Sequence, residues 1–124
     1  MEVKPVDGVT FCYKSVLKKE FMAGRIPLKR DITGRPLKRK PSTTLDHTFP
    51  KAKGGKSNLE NYTLMDYFVN TKRGTKPIKP FIDIEALIEY LDVMINVKTI
   101  DLDGVEYVKG LLKNLLKDFK ENKL

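Results

Sequence analysis

Residues 45–74 read LDHTFPKAKGGKSNLENYTLMDYFVNTKRG, and the organisation of the whole chain hangs on them. The chain's one histidine, His47, stands directly after Asp46. Pro50 follows, then the pair Gly54-Gly55, then Asn61. Asn70, nine positions beyond Asn61, opens Asn-Thr-Lys-Arg-Gly. Residues 42–49 are rich in threonine and have β propensity, and Pro50 ends that run. The glycine pair permits positive φ and a close backbone approach to a ligand. Tyr62 to Met65 forms a second short strand. Asp66 can cap a helix over 66–73, with Lys72 and Arg73 in its last turn and Gly74 as its stop. The predicted order is strand, loop, strand, helix.

The residue types suggest a division of labour. Asp46 and His47 are neighbours on a predicted strand, so their side chains point to opposite faces unless the strand bends. Asp46 is a hard oxygen ligand, suited to Mg²⁺ or Mn²⁺. An imidazole with an ordinary pKa of ~6.5 is largely neutral near pH 7 and can accept a proton from water. A lone histidine in a basic protein is more often a surface or core residue. The frame Asp-His-x-x-Pro-x-x-x-Gly-Gly favours the functional reading here. Asn70 lies early in the helix, where its amide oxygen can reach across the hairpin as a neutral ligand. Asparagine favours turns and helix ends in any case, so neither Asn61 nor Asn70 is informative alone.

Taken together, Asp46-His47, Pro50, Gly54-Gly55, Asn61 and Asn70 resemble the signature of the HNH endonucleases. The resemblance covers roughly residues 42–76. It implies an α+β fold built on a ββα-metal element that hydrolyses phosphodiester bonds of DNA, by nicking or cutting; RNA stays open as a substrate. It assigns His47 as general base and Asp46 and Asn70 as ligands of a single Mg²⁺, Mn²⁺ or other divalent ion. Asn61 matches the family's middle asparagine, which braces the loop and orients the base; Asn58 competes for that place, and the spacing to Asn70 favours Asn61. Members with structural zinc knuckles carry cysteines around the element. Here Met65 and Val69 stand where the second such pair would be, so no structural zinc is expected. The brace must then come from packing by Phe68, Val69 and the C-terminal helices. A phage or mobile-element nuclease acting in the cytoplasm of a bacterial or phage-infected cell fits by family analogy alone.

Charge supports a polyanionic partner. Residues 1–80 carry 18 Lys and Arg against 7 Asp and Glu, and residues 81–124 carry 6 against 9, within a net charge of +8. So lopsided a distribution suggests nucleic acid rather than ordinary surface lysine. The candidate phosphate contacts are Arg25, Lys29, Arg30, Arg35, Lys38, Arg39 and Lys40 in a basic arm, Lys51, Lys53 and Lys56 in the glycine loop, and Lys72, Arg73 and Lys76 after the helix. Cys12 is the only cysteine, so an internal disulfide and a cysteine zinc cluster are excluded. The opening residues lack a signal-peptide core, and no apolar run approaches the ~20 residues of a membrane span.

The flanks complete a three-part plan. Residues 1–41 hold an extended lead-in over 1–10, a short helix over 11–22 stopped at Gly24, and the arm. In that arm Pro27, Gly34, Pro36 and Pro41 deny a helix and suggest a hairpin. Residues 42–76 are the central element. Residues 77–124 hold two amphipathic stripes, one over 83–98 and one over 102–120, which suggest an αα-hairpin. It either folds back on the element or forms a homodimer seam. The alternative to a nuclease is a non-catalytic module on the same scaffold that binds nucleic acid or inhibits a partner.

Overall fold

The computed structural model describes residues 13–39, 43–56 and 58–121. They form a mixed α+β fold of four α-helices and one two-stranded antiparallel sheet. The lead-in over 1–10, Phe11, Cys12, Lys40, Pro41 and Ser42 lie outside the described residues.

Helix α1 spans Tyr13–Met22 and buries Val16, Leu17 and Phe21. Gly24, at φ +82°, turns the chain out of it. The segment after it is not a free arm. Ile26, Leu28, Ile32 and Leu37 are all buried, so residues 25–39 form a strap laid into the core. Its turn is organised by one buried carboxylate. Asp31 Oδ1 accepts from Thr33 N, Thr33 Oγ1 and Arg35 N at 2.9, 2.5 and 3.0 Å, and Oδ2 accepts from Asp66 N at 2.9 Å. A buried carboxylate is tolerated only with such partners.

Strand β1 (Thr44–His47) pairs with β2 (Tyr62–Met65) so that Asp46 faces Thr63 and His47 faces Tyr62. Helix α2 (Tyr67–Arg73) follows, capped by Asp66 Oδ2 accepting from Phe68 N and Val69 N, and Gly74 closes it. A two-stranded hairpin is marginal in water by itself. Here the C-terminal helices, α3 (Ile84–Ile95) and α4 (Gly104–Glu121), support it. They pack on each other, and α4 also packs on the turn at Leu59–Asn61 just before β2.

Two tyrosines finish the sheet edge. Leu64 N donates to Tyr90 Oη at 3.2 Å, the Tyr90 and Tyr107 hydroxyls lie 2.9 Å apart, and Tyr107 Oη donates to the Tyr62 carbonyl at 2.5 Å. An unpaired strand edge carries orphan backbone groups, and these hydroxyls satisfy two of them. Burial pushes the Tyr90 hydroxyl up to about 12, so it stays protonated at neutral pH.

Residues from all three parts of the chain, Val16 to Leu115, share one hydrophobic cluster. The inner stripes of the hairpin, with Tyr90, Met94, Tyr107, Leu111 and Leu115, are used inside that cluster. Ile84 and Ile88 on α3 and Leu112 and Leu116 on α4 remain exposed. Phe68 is corrected as a brace: it is 70% exposed, whereas Met65 is buried and Val69 packs against the core. No described helix is long and apolar enough to cross a membrane.

Candidate active site

The strand–loop–strand–helix order brings Asp46, His47 and Asn70 to one cleft of about 220 Å³. Pro50, Lys51 and Ala52 from the loop, and Gly74 and Thr75 from the end of α2, line it as well. β1 ends at His47, and Thr48 N then donates to the Asn61 carbonyl at 2.8 Å. Thr48 opposite Asn61 carries the β1–β2 register on by one rung, and the strand neighbours Asp46 and His47 both line the cleft beside it.

His47 is half-buried with its ring 4.7 Å from that of Tyr62, tilted by 53°. Asn70 donates from Nδ2 to Thr44 Oγ1 at 3.0 Å and to the Leu45 carbonyl at 3.4 Å. Those contacts engage its nitrogen with β1, so Oδ1 is the end of the amide suited to a cation. Asn61 does not line the cleft. It is fully buried, accepts from Phe49 N at 2.8 Å, and donates to the carbonyls of Phe49 at 2.9 Å and Lys56 at 2.8 Å. One amide thus ties both ends of the 49–56 loop to the start of β2. The glycine pair serves the same loop: Gly54 takes φ +100°, and a Cβ on Gly55 would lie 1.8 Å from the Phe49 carbonyl oxygen. The close approach that Gly55 permits is therefore to the protein's own backbone.

Behind the cleft, Arg73 is completely buried. Its Nε donates to the Lys76 carbonyl at 2.8 Å. Nη1 donates to Asp46 Oδ2 and, at 2.9 Å, to the His47 carbonyl. Nη2 donates to the Thr48 carbonyl at 2.9 Å and to Asp118 Oδ1 at 3.3 Å. A guanidinium has five N–H donors, and all five are engaged. Arg73 as a phosphate contact is therefore corrected: it is an internal clasp joining α2, β1 and α4. Asp118 Oδ2 in turn accepts from Ile78 N at 2.8 Å.

Asp46 is only 5% exposed. Burial raises its carboxyl to about 6, and the adjacent Arg73 pulls in the opposite direction. A divalent ion in the cleft would have the Asp46 carboxylate, the Asn70 amide oxygen and water as donors, a chemistry that suits a hard cation keeping several waters. Among the described residues no group of three or more His, Cys, Asp or Glu stands together. Asn70 and solvent would have to complete the shell.

Several of the other basic candidates serve the fold. Arg25 is paired with Glu20 at 2.8 Å, Arg30 with Glu89 at 3.0 Å and Arg35 with Asp66 at 3.6 Å. Arg39 donates to the Phe21 carbonyl at 3.2 Å and lies 5.5 Å over the Phe21 ring. Lys29, Lys38, Lys51, Lys53, Lys56, Lys72 and Lys76 are exposed. Lys51 lines the cleft, Lys53 and Lys56 follow it on the 49–56 loop, Lys72 stands in the last turn of α2 and Lys76 just after it.

Asp118 and Asp31 were not anticipated from sequence. Asp118 had a visible signal: it lies three positions after Leu115 and seven after Leu111, on the buried stripe of α4. An acid on an apolar stripe asks for a buried partner. A larger hollow, of about 450 Å³, lies apart from the cleft between the strap and the start of α2, and contains none of the three candidate groups. No protein-family model, curated protein or solved structure matches the chain.

Proposed function

We propose that the protein is a metal-dependent HNH-type endonuclease that hydrolyses phosphodiester bonds of DNA. The observation that carries this reading is the convergence of Asp46, His47 and Asn70 on one cleft at the end of a strand, helix and braced loop. Asp46 and Asn70 would hold a divalent ion, which would supply charge compensation to the phosphodiester under attack. His47 takes a proton from water at the mouth of the cleft, with Tyr62 packed against its ring. Asn61 acts at one remove, as a positioning residue: it fixes the 49–56 loop that follows the histidine. Lys51, Lys56, Lys72 and Lys76 hold the phosphates of the strand on either side.

The test is incubation of the purified protein with supercoiled plasmid and Mg²⁺ or Mn²⁺, with and without chelator, beside His47→Ala. Ion-dependent nicking that disappears in the variant is the expected result. Equal cleavage by parent and variant removes His47 from the chemistry.

The Asp46–Arg73 ion pair favours a second reading. A carboxylate already matched by a buried guanidinium needs no cation, and the scaffold would then bind nucleic acid or a partner without cleaving. Intact plasmid in every lane with a clear gel shift decides for that reading. A homodimer through exposed Ile84, Ile88, Leu112 and Leu116 belongs to either reading. Sedimentation over a concentration series tests it, and a monomer throughout removes it.

A further inference from the structure

We propose that the hollow beside α2 seats an unpaired base of single-stranded nucleic acid, stacked on Tyr67 and Phe68 with flanking phosphates on Arg35 and Lys38. This rests on the nucleic-acid partner of the reading above and specifies the form of the strand. Tyr67 is 52% and Phe68 70% exposed, on consecutive positions of one helix. Their rings are 5.7 Å apart at 77°, an edge-to-face pair standing in solvent. Neither belongs to the hydrophobic cluster, and leaving two rings in water forgoes the burial that would stabilise them.

The surroundings select the occupant. The hollow of about 450 Å³ is lined by Arg35, Leu37, Lys38, Tyr67 and Phe68, with one carboxylate, Asp66, which caps α2 and faces Arg35; its volume is within the ~300–1,000 Å³ typical of ligand sites. Lys38 is exposed, and Arg35 meets Asp66 only through a 3.6 Å contact, with about half of its side chain in solvent. Cations beside aromatic faces match a polyanion that carries flat rings. Stacking on such faces is indifferent to base identity and needs a base free of its partner. A paired base within a duplex has no face to offer. Tyr67 and Asn70 are one helical turn apart, about 4.5 Å along the axis. The hollow and the cleft thus lie at neighbouring turns of one helix.

The chain has no tryptophan, so Phe68→Trp introduces a single indole reporter at the hollow. It is titrated, in chelator to prevent cleavage, with a short oligothymidine and with an abasic deoxyribose-phosphate strand of equal length. Oligothymidine should quench the indole and bind about tenfold more tightly than the abasic strand. In the parent background, Tyr67→Ala/Phe68→Ala should erase that difference while binding the abasic strand as before. Equal affinity for the two strands, an unquenched indole, or an unchanged oligothymidine affinity in the double variant overturns the proposal. A protein-binding surface would give that pattern. Plasmid nicking with His47→Ala is scored separately. Quenching without nicking leaves the base seat standing and removes only the enzyme; nicking without quenching removes only the seat.

Discussion

Arg73 and Asp118, 45 residues apart in sequence, meet in an ion pair from which water is excluded: both side chains are 0% exposed. Asp46 meets the other terminal nitrogen of the same guanidinium. One buried cation therefore lies between two carboxylates, one of which also lines the candidate cleft. Arg73→Ala would leave both acids without their partner, and removing one member of such a set costs about 3–5 kcal/mol. Urea unfolding should show that loss. Arg73→Lys should recover little of it, because an ammonium offers three donors where five are engaged. A lysine variant as stable as the parent would contradict the clasp.

Asp46 should write itself into the pH dependence of stability. Its folded pKa, about 6, lies above the ordinary 3.8. The folded state thus holds this proton after the unfolded chain has released it. The contribution is fully present below pH ~4 and is lost as pH rises through ~6, amounting to about 3 kcal/mol for this one group. Denaturant midpoints between pH 4 and 7 should fall more steeply for the parent than for Asp46→Asn. The same sign governs an ion at this carboxylate: Mg²⁺ or Mn²⁺ competes with the proton, so calorimetric affinity should rise from pH 5 to 7. Parallel midpoint curves for parent and variant would remove the effect.

The tyrosine pair on the edge of β2 can be tested one hydroxyl at a time. Tyr107→Phe leaves the buried Tyr62 carbonyl without its donor, at a cost of about 1–3 kcal/mol. Tyr90→Phe removes the acceptor of Leu64 N, so exchange at that amide should accelerate selectively. Unaltered protection at Leu64 would show that the contact matters little.

Asn61→Ala should be costly in two measurements. It orphans Phe49 N and two loop carbonyls in a buried setting, so the fold should lose about 2–4 kcal/mol. The histidine would also lose its fixed position, and cleavage should fall by about a hundredfold at a temperature where the variant is still folded. A variant of parental stability that cleaves as fast would refute the bracing role.

Salt should discriminate between the two kinds of basic residue. Each phosphate neutralised on duplex DNA contributes about −0.9 to the slope of log affinity against log salt. Lys51→Ala and Lys56→Ala should each flatten that slope by about one unit. Arg25→Ala and Arg30→Ala, whose side chains already serve Glu20 and Glu89, should change it little. The reverse pattern would move the phosphate track onto the strap.

How much was legible in sequence follows the range of the forces. The α2 cap at Asp66, its stop at Gly74 and the limits of β2 depend on local chemistry and could be read residue by residue. So could the gathering of Asp46, His47 and Asn70, because a hairpin and one following helix leave few other arrangements. What escaped reading depends on distant partners. Seven cations between Arg25 and Lys40 suggested a phosphate arm, yet Ile26, Leu28, Ile32 and Leu37 among them carry the segment into the core. Arg73 looked like one more basic side chain after a helix. Only the fold supplies Asp118 to neutralise it.

That 45-residue reach ties the Asp46–His47 hairpin to α4. Without α4 the guanidinium keeps Asp46 and the carbonyls of His47, Thr48 and Lys76 but loses Asp118, and the Tyr62 carbonyl loses the Tyr107 hydroxyl. The hairpin that carries Asp46 and His47 is thus held in shape by α4, and a fluctuation that lifts α4 would loosen the walls of the cleft with it.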